Sequence, residues 1–160
     1  MQEKRVKIAT LSLGQSCGRV YCVIQWGKSA ERGGRMDCRK ELERVLAAIS
    51  VIRCPAVCEE SALHALVMDA LENAGLSPRH EVTLAPRCRI DVMCGGVGIE
   101  IKKSRPQPAS LRRQLARYAA CDAVGQLVVI APRGVNLPGT IGGKRVTMVA
   151  LERLWGISLP

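Results

Sequence analysis

The sequence is poor in rings. It has no phenylalanine, and Tyr21, Trp26, Tyr118 and Trp155 are its whole aromatic set. The core must therefore come from Leu, Val, Ile, Ala and Met. A broad platform for stacking unpaired bases, which needs several exposed rings, is not expected. No apolar run reaches the ~18–20 residues that span a bilayer. Histidine is limited to His64 and His80, which leaves little for a His-based metal site or a Ser–His triad. The eight cysteines (17, 22, 38, 54, 58, 88, 94 and 121) include no C-x-x-C pair, the nearest being Cys17-x4-Cys22 and Cys54-x3-Cys58. Metal-binding knuckles favour tighter pairs. The N-terminal MQEKRVKIATLSLGQSC starts basic but lacks a continuous apolar stretch or a small-residue cleavage site. Neither export nor a disulfide framework is expected. The expectation is a cytoplasmic protein whose thiols stay reduced and pack as small hydrophobes.

What the chain does have is positive charge. Lys and Arg number 24 against 14 Asp and Glu, a formal net charge of +10 over 160 residues. Such an excess attracts polyanions, nucleic acid first, although a merely basic surface gives the same count. The length suits one ordinary domain.

Residues 1–50 read as strands at 6–13 and 20–26, a Gly- and charge-rich turn region at 28–35, and a helix from about Cys38 to Ile49 that Asp37 is placed to cap. From Pro55 onward the pattern sharpens. Leu63, Leu66, Val67, Ala70, Leu71 and Ala74 recur at helical spacing, predicting an amphipathic helix from near Cys58 to Gly75. A strand at 81–84 follows, then RCRIDVMCGGVGIEIKK, two β-rich runs joined by Gly95-Gly96. A helix from Ser110 to about Cys121, an apolar strand at 126–131, a Gly/Pro loop, a strand at 145–150 and a short terminal helix complete the chain. The order α-β-β-β-α-β predicts an α/β domain with helices covering a mixed central sheet. Gly139, Gly142 and Gly143 do not make a phosphate-cradling loop before a helix, which disfavours nucleotide hydrolysis.

With Gly95 and Gly96 as turn residues, the hairpin register is fixed. Cys94 faces Val97, Met93 faces Gly98, Val92 faces Ile99, Asp91 lands opposite Glu100, and Ile90 opposite Ile101. Alternation then puts Asp91, Met93, Gly98, Glu100 and Lys102 on one face, and Ile90, Val92, Ile99 and Ile101 on the other, buried, face. Two opposed carboxylates about 5 Å apart repel one another. A divalent cation removes that repulsion, since Mg²⁺ takes carboxylate oxygens while keeping several waters. Lys102 points into the same space, where its ammonium can orient a metal-bound water. An exposed hairpin face with a neighbouring Glu–Lys pair is the plainer alternative.

Asp91-x8-Glu100-Ile101-Lys102 resembles the D…E-x-K core of the PD-(D/E)XK nuclease superfamily, which includes restriction endonucleases, Holliday junction resolvases and RecB-like exonucleases. Ile90 stands where the family's usual Pro would be. Glu60-x-x-Leu63-His64 is similar to the family's acidic segment on the preceding helix; the helical wheel leaves Glu59 and Glu60 undecided, and the resemblance favours Glu60. Gln114-Leu-Ala-Arg-Tyr118 resembles the family's Q-x-x-x-Y helix motif, its two named residues one turn apart on one face.

The resemblance spans roughly residues 58–150 and implies a restriction-endonuclease-like αβββαβ core with residues 1–50 as an added extension and 51–160 as the nuclease domain. It implies Mg²⁺ or Mn²⁺ held by Asp91, Glu100 and the Ile101 carbonyl, with Glu60 behind, and Lys102 positioning the water. Gln114 would hold substrate or a metal-bound water, and Tyr118 a phosphate. Lys103, Arg105, Arg112, Arg113 and Arg117 would meet the nucleic-acid backbone. The expected substrate is DNA, duplex or branched rather than single-stranded, with a homodimer left open; the activity would be hydrolytic, as in an endonuclease of repair or recombination. The alternatives are a non-catalytic nucleic-acid-binding module on the same fold and a zinc-stabilised interaction protein.

Overall fold

The computed structural model describes residues 38–53 and 59–154, within one compact unit running from Gly34 to Pro160. The expected strands at 6–13 and 20–26, the turn region at 28–35, the Asp37 cap and a helix start at Cys58 lie outside the described residues.

Among the described residues two helices come first. Helix α1 (Cys38–Ser50) buries Leu42, Val45, Ala48 and Ile49, and α2 (Glu60–Asn73) buries Leu63, Val67 and Leu71. Each set is one stripe at helical spacing, so each helix can rest an apolar face on a sheet. Gly75, at φ +69°, ends α2 as the pattern predicts. Its amide donates to the Glu72 carbonyl, and the Leu76 amide donates to the Leu71 carbonyl. This is a Schellman closure, which needs a left-handed residue that glycine adopts without a Cβ clash.

Strands β1 (Pro78–Ala85), β2 (Cys88–Cys94) and β3 (Val97–Ile101) form an antiparallel meander. Helix α3 (Pro108–Ala119) then returns the chain to β4 (Gln126–Ala131), parallel to β3. A short β5 (Thr140–Ile141), then β6 (Lys144–Ala150) and α4 (Leu151–Leu154) finish the described fold. Among the described residues the sheet is mixed, six-stranded and ordered β1-β2-β3-β4-β6-β5. The protein is thus α/β. Apolar residues of α1 and α2 pack with Val92, Ile99, Ile101, Val128 and Ile130 in one cluster. Leu111, Leu115 and Tyr118 of α3 pack with Met93, Leu127 and Val129 in another. Three layers result, with the sheet in the middle.

Several expectations shift. Helix α3 starts at Pro108 rather than Ser110, because a proline in the first turn loses no hydrogen bond and its φ is already helical. The loop before β6 holds an extra strand: Gly142 and Gly143, both at positive φ, turn a small hairpin that pairs Ile141 with Lys144. Helix α1 shares the core with α2. Its buried stripe packs it on that core, as expected of the helix near 38–49.

The hairpin register holds for its first three pairs, Cys94↔Val97, Met93↔Gly98 and Val92↔Ile99. The expected opposition of Asp91 to Glu100, and of Ile90 to Ile101, does not occur among these pairs. Ile90 also changes side, joining the cluster under α3 while Val92 stays under α1 and α2. Strand alternation is therefore broken between them, at Asp91. Both faces of β3 are buried, so neither is the open face the pattern suggested. Gly98 admits the shifted Ile90: a Cβ there would come within 2.6 Å of Ile90 Cδ1.

Of the four described cysteines, all with free thiols, Cys88 and Cys94 are buried, Cys121 is half-buried and Cys38 is exposed. Burial pushes the Cys88 and Cys94 thiols up, which keeps them neutral.

Because Leu42 is 2% exposed inside the α1–α2 cluster, Leu42→Ala is expected to cost about 2–5 kcal/mol in urea unfolding. A change within about 0.5 kcal/mol, typical of a surface site, would place α1 outside the domain core.

Candidate active site

The break at Asp91 shapes the site. The Asp91 side chain takes the place of a ladder partner, its Oδ2 accepting a 2.7 Å hydrogen bond from the Ile101 amide. On the other side of β3, the Lys102 amide donates to the Ile130 carbonyl of β4. The end of β3 is thus held by a carboxylate on one edge and by backbone on the other.

Glu100 precedes this end and faces α3. It is 1% exposed, which a carboxylate reaches only when its oxygens are satisfied. Lys102 Nζ donates to Oε1 at 2.5 Å, and Gln114 Nε2 donates to the same oxygen at 2.7 Å. Tyr118 Oη lies 2.9 Å from Oε2. The second Gln114 N–H donates to Tyr118 Oη at 2.8 Å, so one amide spans both partners. That bridge follows from the four-residue spacing, which stacks Gln114 over Tyr118 on the buried face of α3.

The hydroxyl of Tyr118 is overcommitted, because it also lies 2.8 Å from the Arg89 carbonyl. One hydroxyl proton serves a single acceptor at a time. When Glu100 is neutral it can donate to Tyr118, which then donates to Arg89, and every contact carries a proton. Burial, followed by the negative charge of Asp91, pushes the Glu100 carboxyl above its ordinary value, with Lys102 and Tyr118 pulling the other way. Burial and the nearby Glu100 likewise raise the Tyr118 phenol, which stays protonated.

The remaining candidates lie around this pair. Lys102 is 30% exposed, so its ammonium bridges Glu100 and solvent. Glu60, at the first turn of α2, is exposed and stands 3.6 Å from Lys103 Nζ; Glu59 is the residue before the helix. Among the described residues no three His, Cys, Asp or Glu side chains are grouped closely enough to share a metal ion. Glu60 is therefore not gathered with Asp91 and Glu100. Tyr118 is 1% exposed, and its hydroxyl meets internal partners where the resemblance implied a phosphate. Arg105, Arg112, Arg113 and Arg117 are exposed, Arg112 Nη2 donating to the Asn136 carbonyl at 3.4 Å. The Arg89 carbonyl, which anchors Tyr118, was beyond sequence reasoning because any residue supplies a carbonyl. Glu41 on α1, whose carboxylate accepts the Gly96 amide and caps the hairpin turn, was also missed; no short-range pattern links positions 55 apart.

Burial and then the charge of Asp91 hold the Glu100 carboxyl above its ordinary value, so a proton or a cation beside the pair is favoured. Mg²⁺ and Mn²⁺ bind through one or two carboxylates with water in the other positions, and Asp91 and Glu100 are the carboxylates present here. Compared with protein-family models, curated proteins and solved structures, the chain matches none. No helix among the described residues is long and apolar enough to cross a membrane.

The raised Glu100 value has a defined sign. The stability this group contributes in chelator-treated protein is complete below the ordinary Glu range and is lost as pH rises through the raised value. Glu100→Gln removes that loss. Its melting temperature in EDTA is expected to gain on wild type between pH 4 and pH 8; a constant offset across that range would contradict the assignment.

Proposed function

We propose that this protein is a metal-dependent nuclease of the PD-(D/E)XK type, cutting DNA with the site at the end of β3. The observation that carries the reading is the buried Glu100 carboxylate, joined to Lys102, Gln114 and Tyr118 and set beside Asp91. A structural role alone would be filled more cheaply by an apolar side chain there, since burying a charged group is costly. The order α2-β1-β2-β3-α3-β4 agrees with the αβββαβ core that this reading requires.

Asp91 and Glu100 would hold Mg²⁺ or Mn²⁺, with the Ile101 carbonyl beside them and Glu60 acting through water. When bound, the metal supplies positive charge that acidifies water and stabilises the charge developing on the phosphate. Asp91 Oδ2 is fixed by the Ile101 amide, which orients the carboxylate. Gln114 and Tyr118 hold the Glu100 carboxylate in one position and exclude water from its α3 side. Lys102 is partly open to solvent, so its ammonium can turn from Glu100 toward an incoming phosphate or attacking water. The exposed Lys103, Arg105, Arg112, Arg113 and Arg117 would track the backbone of duplex or branched DNA.

A second reading, a nucleic-acid-binding module without catalysis, draws on one observation: both Glu100 oxygens already have partners within the protein. Cleavage of circular single-stranded, linear duplex and four-way-junction DNA, with Mg²⁺, Mn²⁺ or EDTA, separates the two. The nuclease cuts at least one substrate only with metal, and Glu100→Ala and Lys102→Ala each lose at least 100-fold in rate while Lys102→Ala retains DNA affinity. Salt-sensitive binding without cutting of any substrate selects the binding module. Binding should weaken steeply with salt, and the Arg113→Ala/Arg117→Ala double variant should lower the log–log salt slope by about 2. An unchanged slope would remove α3 from the interface.

A further inference from the structure

His64 on α2 and His80 on β1 are the two histidines of the sequence, and the fold sets them ring to ring. Their centroids are 5.2 Å apart with planes at 89°. His64 Nδ1 stands 2.9 Å from His80 Nε2. Neither position is free to drift: Leu63 and Val67 fix the roll of α2 against the core, and the β1–β2 register pairs His80 with Val92. The rings line a groove of about 540 Å³ together with Glu60, Ser61, Met68 and Glu81. Two neutral imidazoles at this separation share one hydrogen. His64 Nε2 is buried and has no hydrogen-bond partner among the described residues, so there either tautomer leaves it an unpaired proton or lone pair. As a purely structural polar pair, the arrangement is poorly satisfied.

We propose that His64 and His80 chelate a transition-metal ion of the imidazole-preferring class, Zn²⁺, Ni²⁺ or Cu²⁺, clamping α2 to β1. Two ring nitrogens each ~2.0–2.1 Å from one ion stand about 2.9 Å apart at a right angle and about 3.3 Å apart at a tetrahedral angle. The observed 2.9 Å meets the first and is a few tenths of an ångström from the second. The ion replaces the shared hydrogen, and each ring turns so that its lone pair, which now faces the other nitrogen, meets the ion beside the N···N line. Because the described residues contain no group of three His, Cys, Asp or Glu side chains placed for a metal, water fills the remaining positions. The site differs in chemistry from the Asp91–Glu100 pair: imidazole nitrogens select borderline ions, whereas carboxylates suit Mg²⁺.

The test uses the full chain without an affinity tag, labelled with ¹⁵N-histidine, so that only two imidazoles report. Titration with zinc chloride is expected to shift Nδ1 of His64 and Nε2 of His80 together, saturating at one equivalent, while magnesium chloride moves neither. Zinc should also raise the melting temperature of wild type but not of His64→Ala or His80→Ala, two variants that check one another's folding. Ring nitrogens unmoved by millimolar zinc, or one ring shifting alone, overturns the proposal. Both readouts are independent of DNA cleavage, so a protein that never cuts DNA leaves the test intact.

Discussion

A carboxylate buried to 1% exposure must be answered by its surroundings, and the fold answers Glu100 from three directions. Lys102 comes from two residues farther along the same chain, while Gln114 and Tyr118 come from a helix laid across the sheet. Tyr118 in turn leans on the Arg89 carbonyl of β2. One side chain on the central sheet therefore ties β2, β3 and α3 together. Such a network rigidifies a site when complete and is costly when incomplete, because in a low dielectric an unpaired polar group has no water to fall back on. Burial, and then the charge of Asp91 beside it, pushes the Glu100 carboxyl above its ordinary value. A cation or a proton is what that local field favours.

The irregularity of β2 is as consequential as the network. A regular strand would have kept Ile90 and Val92 on one face and set Asp91 squarely against Glu100. Instead the strand turns over at Asp91, and the carboxylate itself accepts the Ile101 amide that a ladder carbonyl would have taken. Ile90 is delivered into the α3 side of the core, where Gly98 leaves room for it. Strand distortions of this kind re-aim side chains and end pairing, and they recur beside functional sites. Opening the hairpin at its far end gives Asp91 a fixed orientation without direct opposition to Glu100.

Legibility along the chain followed the range of the interactions. Gly95-Gly96 set the first three hairpin pairs because turn geometry and register are coupled within a few residues. The β4 segment at 126–131 and the stop of α2 at Gly75 were equally readable, since an apolar run and a left-handed glycine act locally. The Gln114–Tyr118 bond also lay in the spacing. The Glu41 cap on the Gly96 amide did not, because the two residues meet only once α1 has packed. Burial of both faces of β3 was missed for a similar reason. Gly98 and Glu100 read as a polar face, and only the placement of α3 covers it.

By itself the sequence determined the order of elements from α2 to β4, the apolar stripe of α2, the turn at Gly95-Gly96 and the one-turn spacing of Gln114 and Tyr118. All of these follow from the repeat of a single helix or strand. Only the tertiary structure decided that Asp91 holds the Ile101 amide, that Glu100 lies buried under α3, that Glu60 turns to Lys103, and that the two histidines meet. A periodic pattern fixes where a side chain points relative to its own element. What it meets there depends on how separate elements pack, and that is settled by close packing and by the need to satisfy each buried polar group.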